Sequence, residues 1–422
     1  MLKLRKMLNK NRFLTNPLIS GSFVLLAGNM IGNFCNYLYH LIMGRMLGPV
    51  DYGILESMVS LLYLLSIPIG TISLVIVKYV SQFKGEDRYK AIGKLYHKLN
   101  IQLLFFGLLG LMGYFLSVPL LAKILRLDNY LWLVMVSLII FVTFFSGINR
   151  AFLQGLSKFF ELSLSGVIES LGKLFLSIVF VVIGLKVTGA IGAILIAGLI
   201  GFAITKYFIK DKVREFDLAE NLGRRTMMRY SLPVFISTLS MTSLFSTDII
   251  LARSFLTSYD AGLYSALALL GKIIFFLSGP IGMVMFPLIS EYKAKEQNYR
   301  KIFLQSLVIV AMVSMLMTVI YFIAPKFIVQ MLYGTDYLKA ASSLGLFAVF
   351  LSLYSLSSIF VNYYLSIKKI IAAVFPLLAA ILQIILIFLF HQNIGQIVYV
   401  SIMVIGLLLA LLMLYYWKNE RK

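Results

Sequence analysis

Apolar residues dominate twelve long segments of the chain, and short polar stretches separate these segments. Each segment supplies the roughly 20 mainly apolar residues that a helix needs to cross membrane hydrocarbon. The predicted spans are residues 17–44, 53–77, 99–121, 130–149, 160–184, 188–208, 231–252, 261–289, 302–324, 341–366, 370–390 and 394–417. The seventh span is the most polar, with several serines and threonines, which membrane helices tolerate. The pattern predicts an all-α polytopic membrane protein with twelve transmembrane helices.

Composition agrees with this prediction and excludes a soluble globular protein. Of the 422 residues, 60% are hydrophobic and 13% are charged, whereas soluble domains carry about 25% charged residues. A net charge of +21 would suggest nucleic acid in a soluble chain, but here it indicates basic loops beside a membrane, so no nucleic acid is expected. One cysteine and three widely separated histidines give no metal-ligand spacing, so neither a metal nor a cofactor is expected.

The basic residues are divided unevenly between the two sides of the predicted helices. Connections on one side, together with both chain ends, hold 29 of the 38 lysines and arginines, and the opposite connections hold seven. Basic loops stay in the cytoplasm, which predicts a multi-pass membrane protein with both termini cytoplasmic. Topology and contact with membrane lipids explain most of these cations. Two cations, Lys173 and Lys272, remain within helices.

The two halves of the sequence share a faint internal repeat. Arg45 precedes an Asp-x-Gly sequence at 51–53, and Arg253 precedes another at 260–262, 209 residues later. Because six helices is an even number, the two copies have the same orientation in the membrane. The repeat therefore predicts two six-helix lobes, 1–209 and 231–422, related by a pseudo-two-fold axis along the membrane normal. The polar stretch 210–230 is the predicted cytoplasmic linker.

A Pro-x-Gly sequence recurs within the second and eighth spans. Pro68 and Gly70 match Pro280 and Gly282, at an offset of 212 residues. Proline removes a backbone hydrogen bond and favours a kink in a helix. Two interpretations stay open, a static kink that fits neighbouring helices and a bend that moves during gating.

The first outer loop and the end of the fourth span carry a resemblance to a known family. Its motifs are Arg45-x-Leu47-Gly48-Pro49-x-Asp51-Tyr52-Gly53 and Phe152-Leu153-Gln154-Gly155-Leu156-Ser157-Lys158-Phe159. With the glycine-rich opening helix, they resemble the Wzx-type polysaccharide flippases of the multidrug/oligosaccharidyl-lipid/polysaccharide (MOP) superfamily.

The resemblance implies alternating-access transport of a lipid-linked oligosaccharide, usually on undecaprenyl pyrophosphate, from the cytoplasmic to the outer leaflet of a bacterial cytoplasmic membrane. It implies no enzymatic activity, and a polysaccharide polymerase and glycosyltransferases are expected partners. Members of the superfamily are thought to be antiporters. The lipid II flippases of the superfamily usually have two further helices, which favours the polysaccharide branch.

A sugar-pyrophosphate headgroup requires a wet cationic cleft, so the charges within helices are the first candidates. Lys173 lies in the middle of the fifth span, and Glu169 precedes it by one turn on the same face. This arrangement is either a self-neutralising pair or a cation whose acidic partner yields to phosphate or an ion. Lys272, in the eighth span, is either a cavity-lining cation or a side chain that extends to the interface.

Three arginines at helix ends are further candidates for headgroup contact. Arg45 and Arg253 are repeat-related and lie at the outer ends of spans 1 and 7, where bonding to helix carbonyls is the alternative. Arg150 lies at the cytoplasmic end of span 4 and is a weaker candidate.

Asp248, near the outer end of span 7, is the candidate for coupling transport to H⁺ or Na⁺. A local ion pair with Arg253, five residues later, is the alternative. Glu56, His40 and Asp51 are interpreted as interfacial or turn residues. Five tyrosines are considered for stacking against sugar rings: Tyr37, Tyr39, Tyr63, Tyr363 and Tyr364.

Two other functions remain open. A multidrug exporter of the same superfamily also has twelve helices, but its drugs are often cationic, whereas the two cations within helices favour an anion. A membrane O-acyltransferase would need an intramembrane histidine, and none of the three histidines lies in the middle of a predicted helix. A polymerase commonly has a large outer loop, and none is predicted here.

Overall fold

The computed structural model describes residues 17–213 and 228–419, and these residues form helices without a β-strand. The basic N-terminal tail and most of the predicted linker at 210–230 lie outside the described residues. We number the α-helices in chain order. They are α1 (Pro17–Gly85), α2 (Tyr89–Ile124), α3 (Leu131–Gly155), α4 (Phe159–Val182), α5 (Lys186–Ile209), α6 (Met228–Leu244), α7 (Thr247–Phe255), α8 (Ser258–Ala294), α9 (Arg300–Ile323), α10 (Pro325–Tyr333), α11 (Leu344–Ser366), α12 (Ile371–Leu389) and α13 (Ile394–Asn419).

The first two predicted spans form one long helix, α1, that bends at Gly48. This glycine has φ 73° and ψ 173°, a left-handed φ that a residue with a side chain rarely adopts. It divides α1 into arms at 17–47 and 49–85. Within the described residues, eleven helical stretches are long and apolar enough to cross a membrane, and the first contains both arms. The prediction of twelve transmembrane helices is therefore confirmed.

The seventh predicted span differs from the expected single helix. α6 ends at Leu244 and α7 begins at Thr247, so the helix is interrupted in its most polar part. There the hydroxyls of Ser243 and Thr247 lie 2.8 Å apart. Short polar side chains bond to each other and to nearby backbone, which offers the chain an alternative to continuous helix. The span predicted at 231–252 is confirmed as a membrane-length stretch, Leu232–Phe255, and the break lies inside it.

Packing divides the chain into two compact units that do not follow chain order. Unit 1 comprises Met1–His40, Pro68–Pro119 and Tyr130–Met227. Unit 2 comprises Leu41–Ile67, Leu120–Asn129 and Met228–Lys422. The predicted lobes, 1–209 and 231–422, instead cut the chain once. The two lobes stay a prediction, because a division of the chain by sequence repeat need not coincide with a division by packing.

Repeat-related residues touch each other within unit 2. A Cβ atom added to Gly53 would lie 2.9 Å from Cα of Gly262, its match 209 residues later. Lys272 places its ammonium 5.8 Å from the ring centroid of Tyr63, again 209 residues earlier. The glycines allow this close backbone approach. Two contacts at one offset indicate that α1 and α8 run side by side in the same direction here, as the internal repeat predicts.

A second repeated feature is a cap on a helix end, found once in each unit. In each unit, a serine and a lysine one turn apart on one helix donate hydrogen bonds to two successive backbone carbonyls at the C-terminal end of a second helix. The bonds are Ser81 Oγ to Gly155 O (3.1 Å), Lys84 Nζ to Leu156 O (2.8 Å), Ser290 Oγ to Ser366 O (3.4 Å) and Lys293 Nζ to Ile367 O (2.7 Å). The repeat therefore extends to local hydrogen bonding.

Candidate functional site

Unit 1 contains a polar cavity of about 500 Å³ lined by α1, α3, α4 and α5. Its polar lining residues are Asn29, Asn33, Asn36, Arg150, Gln154, Ser163, Glu169, Ser170 and Lys173. A second cavity of about 260 Å³ shares Arg150, Gln154 and Glu169 with the first. Three residues proposed from the sequence, Arg150, Glu169 and Lys173, are thus brought to one site.

Arg150 and Glu169 form the ion pair of this cavity. Nη2 of Arg150 donates to Oε2 of Glu169 at 2.5 Å, and the side chains are 33% and 31% exposed. Gly201 on α5 makes room for this carboxylate, because a Cβ atom there would collide with Oε2. Nε of Arg150 is buried and has no hydrogen-bond partner in the described part of the chain. Arg150, the weakest of the sequence candidates, is therefore a central cation of the cavity.

Lys173 also lines the cavity, and its ammonium lies over an aromatic ring. Nζ is 4.3 Å from the ring centroid of Tyr39, a cation–π arrangement. The hydroxyl of Tyr39 donates to the carbonyl of Ala190 on α5 at 3.2 Å, which fixes the ring. The structure therefore gives Lys173 an aromatic contact that sequence spacing did not predict.

The tyrosines proposed for sugar stacking are mostly unsuited to it. Tyr39, Tyr363 and Tyr364 are fully buried, so none has a ring face open to a ligand. Tyr363 packs against Phe303, and the hydroxyl of Tyr364 donates to the carbonyl of Leu412. We assign these three residues to packing, which corrects the sequence hypothesis.

Unit 2 holds a cluster of buried charges. Lys272 is 3% exposed, and Asp248 and Glu56 are each 1% exposed. Both carboxylates act electrostatically on the Lys272 ammonium. Glu56 accepts a hydrogen bond from Tyr52 at 3.0 Å. Glu56, interpreted from the sequence as an interfacial or turn residue, is instead buried by the packing of unit 2.

Asp248 belongs to a polar network with unused oxygen atoms. Its Oδ2 accepts from the hydroxyl of Tyr264 at 2.7 Å. Gln383 donates from Nε2 to Ser401 Oγ at 2.9 Å and to the backbone near the α6–α7 break. Among the buried oxygens without a hydrogen-bond partner in the described residues are Asp248 Oδ1, Gln383 Oε1 and Ser246 Oγ. Such unsatisfied acceptors suit a small cation or a proton.

The two repeat-related arginines bind backbone carbonyls within unit 2. Nη2 of Arg45 donates to Met331 O at 2.8 Å, in the last turn of α10. Arg253 is 4% exposed and donates to Leu125 O and Arg126 O, just after α2. The proposed Asp248–Arg253 pair is replaced by these bonds. Both arginines cap helix ends, and their contact with a headgroup stays a prediction.

The matched Pro-x-Gly sequences lie inside long helices. Pro68 and Gly70 are in the second arm of α1, and Pro280 and Gly282 are in α8. Gly70 lines the smaller cavity of unit 1, and a Cβ atom there would meet no other atom. The proposed gating role of the four residues stays a prediction.

Sequence reasoning missed the three asparagines of the cavity. They are Asn29, Asn33 and Asn36. Intervals of four and three residues place side chains on one face of a helix. This spacing was visible in the sequence, because amides recur within an otherwise apolar span.

Comparison with known proteins identifies the family and the fold. The family described as "Polysaccharide biosynthesis protein" matches residues 18–293. An uncharacterized membrane protein of Methanocaldococcus jannaschii is 25% identical over 290 residues, which cover 65% of this chain and 68% of that protein.

Solved structures of transporters have a similar fold. One is a multidrug resistance MATE family transporter of the MOP superfamily in an inward-facing conformation, with TM-score 0.76 and 14% identity, covering 95% of this chain and 99% of that chain. Another is the lipid II flippase MurJ in an inward closed conformation, with TM-score 0.68 and 17% identity, covering 95% and 88%. At these identities the likeness shows the fold alone, and the predicted fold class is confirmed.

Proposed function

The chain belongs to the polysaccharide biosynthesis protein family, and we propose that it is a Wzx-type flippase. The proposed substrate is an oligosaccharide on a polyprenyl pyrophosphate of the undecaprenyl type. Alternating access would carry it from the cytoplasmic to the outer leaflet of a bacterial cytoplasmic membrane. Glycosyltransferases would supply this substrate and a polymerase would use the translocated product. The observation that carries the proposal is the polar cavity of unit 1, with Arg150 and Lys173 in its wall.

The charges of this cavity suit a pyrophosphate. Arg150 and Lys173 together with Glu169 leave one net positive charge, and the ion pair is about one-third exposed. A partly hydrated carboxylate–guanidinium pair exchanges partners at low free-energy cost. Two oxygens of the pyrophosphate can therefore replace the Glu169 carboxylate and accept a pair of parallel hydrogen bonds from Arg150, while Lys173 adds a point charge.

We place coupling to H⁺ or Na⁺ at Asp248. Lys272, Asp248 and Glu56 carry one positive and up to two negative charges, all buried. The remaining negative charge is unfavourable in an apolar surrounding, and one monovalent cation or one proton neutralises it. The unpartnered oxygens of Asp248 and Gln383 offer ligands for that ion.

Deletion of the gene tests the proposed substrate. We expect lipid-linked oligosaccharides to accumulate on the cytoplasmic face of the membrane. The double variant Arg150→Ala/Lys173→Ala should fail to relieve this accumulation. Lys206→Ala is a matched control, since Lys206 also lies over a ring, 5.7 Å from Phe202, but does not line the cavity. Normal export by the double variant at normal protein levels would contradict the role of the cavity.

A multidrug exporter is the second candidate. The buried acids Glu56 and Asp248 favour it, because acidic residues attract cationic drugs. Under this alternative, deletion sensitises cells to cationic drugs and leaves lipid-linked oligosaccharides at their normal level.

A further inference from the structure

Three amide side chains form a stripe along the first arm of α1. Asn29, Asn33 and Asn36, which we call the amide stripe, all line the unit 1 cavity. Asn29 and Asn33 are exposed, and Asn36 is half-buried. The structure records no hydrogen bond from any of the three amides within the described residues. Their hydrogen-bonding groups are thus available to a ligand.

Small residues on α1 explain why the amide stripe lies beside α4. A Cβ atom added to Gly28 would lie 2.6 Å from Cβ of Ser163, and one on Gly32 would lie 3.4 Å from Oγ of Ser170. The hydroxyl of Ser163 donates to the carbonyl of Val24 at 3.0 Å and so bonds the two helices together. Glycines permit close helix packing in membranes. The glycines and the three asparagines line the same cavity, which α4 lines with Glu169 and Lys173.

The chemistry of the amide stripe differs from that of the cations. Each amide has two N–H donors and one acceptor oxygen and carries no charge. A pyrophosphate accepts hydrogen bonds only, so it uses donors alone. Sugar hydroxyl and acetamido groups donate and accept, so they use both ends of an amide. Seven residue steps separate the first and last amides of the stripe, about 10 Å along the helix axis, which is long enough to follow a sugar attached to a pyrophosphate held nearby.

We propose that the amide stripe is a subsite for a neutral sugar, the one joined directly to the pyrophosphate. This inference rests on the proposed function, in which Arg150 and Lys173 hold the pyrophosphate. The stripe then recognises the glycan and distinguishes a glycosylated carrier from the bare lipid. It also provides hydrogen-bond partners for the sugar hydroxyl groups, which lose their hydrogen bonds to water when the sugar enters the site.

Two lipid probes test this assignment on the full-length protein in nanodiscs. One is polyprenyl pyrophosphate without sugar, and the other carries a single N-acetylglucosamine. We expect the wild type to bind the glycosylated probe more tightly. Each of Asn29→Leu, Asn33→Leu and Asn36→Leu should weaken its binding by about 2- to 10-fold, the equivalent of one hydrogen bond, without affecting the bare probe. Asn298→Leu, an exposed amide outside the cavity, is the matched control.

The outcomes separate this inference from the proposed function. If Arg150→Ala weakens both probes but no stripe variant affects either, the function stands and the sugar subsite is wrong. If the wild type binds neither probe, both proposals are overturned. Equal binding of the two probes by the wild type also overturns the subsite.

Folding needs a separate control, because leucine can disturb packing. Asn33→Ala and Asn33→Gln are therefore measured together with their unfolding temperatures. Selective loss of the glycosylated probe in Asn33→Ala, with recovery in Asn33→Gln, supports the subsite. Equal loss of both probes in Asn33→Ala would show that the amides hold the helices together and would contradict it.

Discussion

The charged groups of unit 1 and those of unit 2 occupy opposite environments. Arg150 and Glu169 of unit 1 are about one-third exposed and line a cavity. Lys272, Asp248 and Glu56 of unit 2 are at most 3% exposed. Both groups combine cations with carboxylates, so the difference lies in access to water and ligand.

This difference favours different functions for the two sites. An ion pair that is about one-third exposed contributes little free energy, so a ligand can separate it readily. Buried charges need each other, because removing one leaves the others without compensation. We therefore expect unit 1 to exchange a large anionic headgroup and unit 2 to hold a charge balance that a small cation changes.

The largest expected effect is on stability. Lys272→Met removes the only ammonium of the buried cluster and leaves Asp248 and Glu56 uncompensated. We expect it to lower the free energy of unfolding by about 3–5 kcal/mol, measured in detergent micelles. Lys173→Met, the same change at the cavity, should cost about 1 kcal/mol or less. Equal losses of unfolding free energy in the two variants would contradict the distinction between the sites. Adding Glu56→Gln to Lys272→Met should restore part of the lost stability.

Asp248→Asn should separate ion coupling from headgroup binding. The substitution removes the negative charge that a cation would neutralise. We expect transport driven by an ion gradient to fall by about 5- to 150-fold, the usual range of coupling free energies. Binding of the bare lipid pyrophosphate in unit 1 should not change. Transport that kept its full dependence on the gradient would contradict a coupling role for Asp248.

Much of the fold was predictable because it depends on local composition. Twelve apolar segments of sufficient length define the spans, and Gly48 lies in the turn between the first two. The break between Leu244 and Thr247 was not predicted. Its polar residues were visible, but hydropathy alone does not show whether hydroxyl groups bond within a continuous helix or interrupt it.

The site was less predictable because its contacts join different helices. Glu169 was expected to pair with Lys173 four residues later, but it bonds to Arg150 on α3. Glu56 was interpreted as an interfacial or turn residue. Its burial depends on packing within unit 2, which the sequence does not show. The amide stripe could have been predicted, because the spacing of its three asparagines along one helix face is visible in the sequence.

A smaller effect is expected when the carboxylate of the exposed pair is neutralised. Glu169→Gln removes the anion that competes with pyrophosphate for Arg150. We expect the bare lipid pyrophosphate to bind about 2- to 5-fold more tightly, as one exposed ion pair is worth under about 1 kcal/mol. Glu161→Gln is the control, because Glu161 pairs with Lys158 at 3.7 Å and does not line the cavity. Weaker binding in Glu169→Gln would show that this carboxylate positions Arg150 instead of competing for it.

The smallest expected effect concerns the ring beneath Lys173. Tyr39→Phe keeps the aromatic face and removes the hydroxyl that bonds to Ala190 O, so pyrophosphate affinity should change by less than about 2-fold. Tyr39→Leu removes the face, and affinity should fall by about 2- to 5-fold because the ammonium loses a cation–π contact. Tyr354→Phe removes a comparable buried hydroxyl in unit 2, where it donates to Met241 O at 3.1 Å. A change in headgroup affinity in that variant would show that unit 2 also contributes to the binding site.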